Sequence, residues 1–162
     1  MQIRKANIID LPTLLTVSRQ TFVDAYAHLN NPLDFSIYLE DQFNLSCLQS
    51  QIENLNSYFY LLSENHKDIA YLKLNIGSAQ TENRFENALE IERIYVLKEH
   101  QNKRLGGIMI NHAIKQAQKR GLKNVWLGVW EINASAIAFY KRHQFNIVGT
   151  CLLYTSPSPR DS

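Results

Sequence analysis

Glu92-Arg93-Ile94-Tyr95-Val96-Leu97-Lys98-Glu99-His100-Gln101-Asn102-Lys103-Arg104-Leu105-Gly106-Gly107 decides the reading of this chain. It passes from the end of an apolar strand, through a basic loop, into a helix. A helix start presents amides that lack intrahelical partners, together with a partial positive charge. With Lys103 and Arg104 adding full charges, such an end is matched to a pyrophosphate. Gly106 and Gly107 would let phosphate approach the backbone closely. A solvated basic loop that merely joins strand to helix fits the same residues. The segment is not a Walker loop, because the spacing before a Lys-Ser or Lys-Thr pair is missing. Nor is it a dinucleotide fingerprint, because the first glycine is absent.

Outward from this stretch the elements alternate. Ala88 to Val96 is the strand that feeds the loop. Leu105, Ile108, Met109, Ala113 and Ala117 trace the apolar stripe of the helix that leaves it. Gly121 stops that helix after Lys119 and Arg120. Val125 to Val129 is a short buried strand, expected to run parallel to Ala88–Val96 through a right-handed crossover. Asn133 caps a helix carrying Ala136, Ile137 and Tyr140. Phe145 to Gly149 begins a last strand.

Upstream, Gln2 to Ala6 reads as a first strand. Asp10 offers the N-cap of a helix with Pro12 in its first turn and Leu11, Leu14, Leu15, Phe22 and Ala25 at helical spacing. Asn30-Asn31-Pro32 breaks that helix. Shorter helices cover Phe35 to Tyr38 and beyond, and Cys47 to Leu55. Tyr58 to Ser63 and Ile69 to Ile76 are strands around the polar turn Asn65-His66-Lys67-Asp68. Gly77 to Asn87 is a loop. The order describes an α/β (α+β) fold, a mixed sheet with helices on both faces.

The C-terminus breaks the pattern. Leu152 to Ser162 carries Pro157 and Pro159, which no central strand tolerates. Residues 154–162 therefore read as a non-native, disordered tail, or as a natural one, behind a domain spanning residues 1–153. The last strand of a closing hairpin is expected to be missing. An open sheet edge invites association, so a homodimer belongs among the expectations.

Composition narrows the function classes. Of 162 residues, 45% are apolar and 20% charged, enough for one core and too apolar for disorder. A net charge of +2 calls for neither nucleic acid nor an anionic membrane. No run approaches the roughly 20 apolar residues of a membrane span, and Met1 to Lys5 does not open a signal peptide. Cys47 and Cys151 have no metal-ligand spacing, so no metal is expected. A cytoplasmic protein is the default.

Two motifs bring a family into view. Gln101 to Gly107 resembles motif A of the GNAT acetyltransferases, Gln or Arg-x-x-Gly-x-Gly or Ala. Gln101 and Gly106 match, while Arg104 stands at the first glycine. Asn133-Ala134-Ser135-Ala136-Ile137-Ala138-Phe139-Tyr140 resembles motif B, Asn-x-x-Ala-x-x-Phe or Leu-Tyr, at every defining position. Gln144 replaces the glycine of the Gly-Phe pair that usually follows. A narrower likeness, to PaiA-type bacterial spermidine/spermine N-acetyltransferases, rests on Thr21–Tyr26, Asn30–Pro32, Tyr38–Glu40, Leu89–Val96 and Trp126–Glu131.

The resemblance implies the GNAT acyl-CoA N-acyltransferase fold. It also implies transfer of acetyl from acetyl-CoA to a primary amine, with polyamines as candidate acceptors, by direct attack in a ternary complex. An alkylammonium, with a reference pKa of ~10.4, must first lose a proton. Glu90 and Glu92 are the candidate bases, Glu92 ahead. Pairing of both with Arg93, Lys73 or other cations fits as well. The carry-over assigns the oxyanion amides to Ile94 and Val96, with Tyr95 between them. It assigns acetyl-CoA to Gln101, Asn102, Lys103, Arg104, Leu105, Gly106, Gly107 and Asn133, and protonation of the leaving thiolate to Tyr140. Tyr26, Asp34, Tyr38 and Asp41 are candidates for an acceptor pocket, acid for the charges and rings for the methylenes. A solvated helical face fits those four as well. Two rival readings remain: an acetyltransferase of protein or peptide amines, and a catalytically weak acetyl-CoA-binding regulatory module.

Overall fold

The computed structural model describes residues 1–29, 31–101, 103–129, 134–149 and 152–155. Its elements are β1 (Gln2–Lys5), α1 (Leu11–Tyr26), α2 (Pro32–Gln42), α3 (Leu45–Glu53), β2 (Ser57–Glu64), β3 (Lys67–Ile76), β4 (Ala88–Val96), α4 (Leu105–Lys119), β5 (Asn124–Gly128), α5 (Ala134–Arg142), β6 (Asn146–Gly149) and β7 (Leu152–Thr155). Among the described residues the strands form one mixed sheet, ordered β1-β2-β3-β4-β5-β7-β6. The chain divides into two compact units, Met1–Lys73 with Arg93–Leu105, and Leu74–Glu92 with Gly106–Ser162.

In the first unit β1 lies antiparallel to β2, from Gln2↔Ser63 to Lys5↔Tyr60. Leu11, Leu14 and Val17 project from one side of α1 and meet Leu48 of α3 and Phe59, Leu61 and Tyr71 of the strands. This cluster is the unit's core. The helix start differs from expectation. Asp10 makes no side-chain cap on α1. Asn7 caps one turn earlier, where Ile8–Asp10 forms a 3₁₀ turn. Asn7 Oδ1 accepts from the Ile9 N–H at 2.9 Å, and Asp10 Oδ2 accepts from the Asn7 N–H at 3.0 Å. The two bonds form a capping box, which satisfies donors at both ends of the turn. Asp10 also receives Arg4 at 3.2 Å, and Arg4 donates to Asp68 at 2.7 Å. Asn31-Pro32, read as a break, is the start of α2. The Asn31 side chain accepts from the Leu33 and Asp34 amides, and Pro32 occupies the first turn.

In the second unit β4 and β5 run parallel, with Ala88, Leu89 and Glu90 opposite Asn124, Val125 and Trp126, and the ladder ends there. Leu105, Met109, Ile110, Ala113, Ile114 and Ala117 are the buried side of α4. Ile108, placed in that stripe from the sequence, is instead exposed. Trp126 is buried against Ala88 and Phe85, and its Nε1 donates to Gln80 Oε1 at 2.7 Å.

The expected loss of the last hairpin strand is overturned. β7 pairs antiparallel with β5, from Val125↔Thr155 to Gly128↔Leu152, and with β6, from Asn146↔Tyr154 to Gly149↔Leu152. The C-terminal prolines begin only at Pro157. Leu152–Thr155 precedes it and keeps every amide it needs for the ladder. The strand therefore extends two residues past the boundary placed at 153. Residues 156–162, assigned to a disordered tail, lie outside the described residues.

Candidate functional site

Leaving β4, the loop folds back on its own strand. Lys98–His100 makes a 3₁₀ turn, and Gln101 Nε2 donates to the Val96 carbonyl at 3.2 Å. Lys103 Nζ bonds to His100 Nδ1 at 3.1 Å and to Glu64 Oε1 at 3.3 Å. Asn102 lies outside the described residues. Arg104 adopts φ +61°. This is the left-handed conformation that glycine enters freely and other residues enter at a cost. The residue that departs from the family's glycine thus keeps glycine's backbone shape. Leu105 is buried, opens α4 and anchors its first turn. The amides of that turn have no acceptor within the helix, and Arg104 beside them is exposed, an arrangement of the kind that suits a phosphate.

Gly106 and Gly107 serve a different end from the one first read. A Cβ at Gly106 would lie 2.8 Å from Phe139 Cζ, and one at Gly107 3.2 Å from His143 Cε1. Both glycines let α5 and the turn behind it pack closely on α4. The Cα hydrogens face protein, so the ligand would meet the amides.

Tyr140, on α5, is half-buried. Its ring meets Phe139 edge-on at 5.2 Å and Phe145 at 5.8 Å. The Phe145 contact closes the end of the helix. Phe145 N–H donates to the Tyr140 carbonyl at 3.1 Å and Gln144 N–H to the Lys141 carbonyl at 3.0 Å. Gln144, the second departure from a family glycine, stands at φ +72°. These bonds and this φ make a Schellman end, with the aromatic pair as its apolar contact. Tyr140 is thereby held in place by two rings and by its own carbonyl. Asn133, the other motif residue, lies outside the described residues.

The two glutamates of β4 are bridged. Glu90 is 3% exposed and Asn75, from β3, is 0% exposed. Asn75 Nδ2 donates to Glu90 Oε1 at 3.0 Å and to Glu92 Oε1 at 2.8 Å. Glu90 is further held by the Thr81 N–H at 2.8 Å and by the Thr81 hydroxyl. Its partners are thus neutral donors, not cations. Lys73, offered above as a partner, donates to Gln51 Oε1 at 3.1 Å and lies over the Phe59 ring. Glu92 is only half-buried. Asn75 and Thr81 were not found from the sequence. The one available signal was an amide at position 75, between Leu74 and Ile76 of β3.

Ile94, Tyr95 and Val96 form the last turn-ward residues of β4. The Tyr95 ring stacks on Tyr71 at 5.7 Å. Burial pushes its phenol far above the ordinary range, and the neighbouring Tyr26 and Tyr71 add to the shift. So placed, Tyr95 does not ionise near neutrality.

An open pocket of about 430 Å³ is lined by Phe22, Tyr26, Asp34, Phe35 and Tyr38. Phe22 is its hub, within 4.7 Å of Tyr26, 5.7 Å of Phe35 and 5.6 Å of Tyr38, between ring centres. Three of the four expected acceptor residues therefore gather, and Phe22 and Phe35 join them. Asp41 does not line the pocket. It is exposed near the end of α2, where its Oδ2 accepts from Gln42 and its carbonyl from Asn44. Among the described residues no helix is long and apolar enough to cross a membrane, and no His, Cys, Asp and Glu group could hold a metal.

The sequence pattern of the Acetyltransferase (GNAT) family matches residues 23–145. This chain belongs to the GNAT family. It is an acetyl-CoA-dependent N-acetyltransferase with the mixed α/β fold of that family. It is 38% identical over 131 residues to an uncharacterized N-acetyltransferase in the pepI 3' region of Lactobacillus delbrueckii subsp. lactis, covering 81% of this chain and 76% of that one. It is 25% identical over 154 residues to spermidine N(1)-acetyltransferase of Thermoplasma acidophilum, covering 93% and 91%. The coenzyme A complex of the PaiA N-acetyltransferase from Thermoplasma acidophilum superposes with a TM-score of 0.79 at 23% identity, over 96% of this chain and 98% of that one. The GNAT acetyltransferase described here thus shares the fold of that PaiA enzyme.

Proposed function

We propose that this GNAT enzyme acetylates a small aliphatic polyamine of the spermidine or spermine kind, by direct attack of the amine on acetyl-CoA in a ternary complex. The observation that carries the reading is the pocket of Phe22, Tyr26, Phe35 and Tyr38 with Asp34 at its wall. Rings accommodate methylenes and attract ammonium groups through their faces, and the carboxylate supplies the opposite charge. The likeness to a spermidine acetyltransferase supports the same substrate class.

In this reading Glu92 accepts the proton that the ammonium must lose, directly or through water. Glu90, saturated by Asn75 and Thr81, is the anchor. The amine nitrogen attacks the thioester carbon, and the amides of Ile94 and Val96 receive the charge that builds on its oxygen. The C–S bond then breaks, Tyr140 gives its proton to the departing thiolate, and the second proton of the attacking nitrogen, released as the amide forms, restores the Tyr140 phenol through solvent. Gln101, Lys103, Arg104 and the first turn of α4 hold the diphosphate of acetyl-CoA, with Asn102 and Asn133 completing the motif positions.

Thiol release from acetyl-CoA, measured against a panel of amines, tests the substrate class. Spermidine and spermine are expected to surpass a monoamine of equal length, and Asp34→Asn to raise the KM for polyamine while sparing that for acetyl-CoA. Preferential acetylation of peptide amines would overturn the polyamine assignment. Tyr140→Phe is expected to lower turnover by ~10²–10⁴-fold, the usual range for a lost general acid, with acetyl-CoA affinity retained. Unchanged turnover, with chemistry rate-limiting, would remove the role.

A further inference from the structure

We infer that Asn75 is the positioning residue of the base, and that Thr81, Glu90, Asn75 and Glu92 act as one hydrogen-bonded chain. The inference rests on the reading of Glu92 as the general base and goes beyond it. An asparagine amide carries two N–H donors. Here both are used on carboxylates, 3.0 Å to Glu90 and 2.8 Å to Glu92. Asn75 is fully buried, on the face of β3 that it shares with Tyr71 and the buried Lys73. A buried amide is retained at a cost unless its hydrogen bonds are made. The two carboxylates satisfy both of its N–H donors.

The chain has a direction. Thr81 donates twice to Glu90, through its amide and its hydroxyl, and fixes that carboxylate. Glu90, now immobile, fixes the rotation of the Asn75 amide by accepting one of its two hydrogens. The remaining hydrogen then has one orientation, and it points at Glu92. The half-buried glutamate is thus aimed by a partner that never touches substrate. One Glu92 oxygen is held in this way. The tether sets the position of the carboxylate that is to receive the proton, and positional error at a base is paid in turnover rather than in binding.

A double-mutant cycle on turnover tests the chain, with Glu92→Gln, Asn75→Leu and the pair, each assayed alongside acetyl-CoA titration and a thermal melt. Glu92→Gln alone is expected to lower kcat by ~10²-fold or more. Asn75→Leu alone is expected to lower kcat by roughly 10-fold, the scale of a lost bond to a charged group, with the KM for acetyl-CoA unchanged. In the Glu92→Gln background Asn75→Leu is expected to cost nothing further, because a residue acting through another has no effect once the other is gone. A multiplicative cycle, or full activity in Asn75→Leu, would overturn the positioning role while leaving Glu92 as base. Full activity in Glu92→Gln would overturn the base itself, and the inference with it. If Asn75→Leu does not fold, Thr81→Val carries the same cycle from the exposed end of the chain. It keeps the amide and loses only the hydroxyl, so a smaller loss of kcat is expected, again absent in the Glu92→Gln background.

Discussion

The ends of α4 and α5 are built alike from different residues. At the end of α4, Leu122 N–H donates to the Ala117 carbonyl at 2.9 Å and Gly121 N–H to the Gln118 carbonyl at 3.1 Å. At the end of α5, Phe145 and Gln144 make the same two bonds to Tyr140 and Lys141. The left-handed residue is Gly121 at φ +67° in one and Gln144 at φ +72° in the other. The motif therefore requires a conformation, not a residue. Glycine supplies it without strain, and a side chain supplies it at roughly 1–2 kcal/mol. Arg104 repeats the substitution at φ +61° in the loop before α4. At Gly106 the demand is of another kind. Its missing Cβ is what Phe139 occupies. At 104 and 144 a side chain stands where the demand is torsion, and at 106, where the demand is space, the residue is glycine.

The sharpest way to break that contrast is to put a methyl where space is the reason. Gly106→Ala places Cβ 2.8 Å from a ring atom that is itself wedged against Tyr140 and His143. Overpacking of this sort costs about 1–3 kcal/mol, against roughly 1 kcal/mol of helix propensity regained. A net loss of up to about 2 kcal/mol is expected in a denaturant melt. Phe139→Leu shortens the opposing side chain, and in that background Gly106→Ala should be neutral or stabilising. A loss of equal size in both backgrounds would show that the ring is not the obstacle.

Exchanging the two helix ends gives the next effect. Gln144→Gly is expected to stabilise by about 1 kcal/mol, and Gly121→Gln to destabilise by about the same, since no atom lies within 4 Å of a Cβ at position 121 and only torsion is at stake. In a chain of this size each is a shift of about 2–4 °C in Tm, of opposite sign. Arg104→Gly is expected to follow Gln144→Gly in stability, while weakening acetyl-CoA binding through the lost charge. Gln144→Gly should leave that binding alone. A destabilised Gln144→Gly would mean that the glutamine side chain contributes more than its backbone costs.

What the sequence made legible follows from how local each cause is. The strand–loop–helix at Val96–Leu105 and the two motifs are contiguous, so period and spacing carry them. The parallel pairing of β4 with β5 follows from chain order alone. Asn75 and Thr81 escaped because their meaning depends on a partner strand and on the path of a loop, neither of which has a period. Asp41 was grouped with Tyr26, Asp34 and Tyr38 for its carboxylate. Near its end the helix frays into its own polar contacts, and the pocket takes Phe22 and Phe35 instead. From sequence, Phe22 was only an apolar position of its helix and Phe35 only a helix start, because an aromatic in a helix does not reveal whether its face is covered. β7 was missed because two prolines beyond it lent their character to the four residues before them.

The smallest effect separates the two helix ends by charge. The residue before the left-handed one is Arg120 in α4 and His143 in α5. Arg120 donates to the Gln116 carbonyl and side chain at 3.2 and 2.7 Å. A cation there also suits the helix dipole. His143 could gain the same benefit by protonating, yet burial, and then Arg142, hold its pKa below the ordinary 6.5. Burial outweighs the dipole. The unfolded chain therefore takes up this proton at a higher pH than the folded one does. Stability is full above about pH 6.5, falls as the pH drops through that value, and levels off once the folded state protonates too. His112, lowered by burial and by Lys119, Lys115 and Arg120, adds a loss of the same sign from the body of α4. Melts from pH 7.5 to 5.5 on the parent, His143→Gln, His112→Gln and the pair separate the two. The parent is expected to lose more Tm over that range than either single variant, and the pair least of all. Parallel slopes in parent and His143→Gln would show that the α5 end is as indifferent to pH as the α4 end.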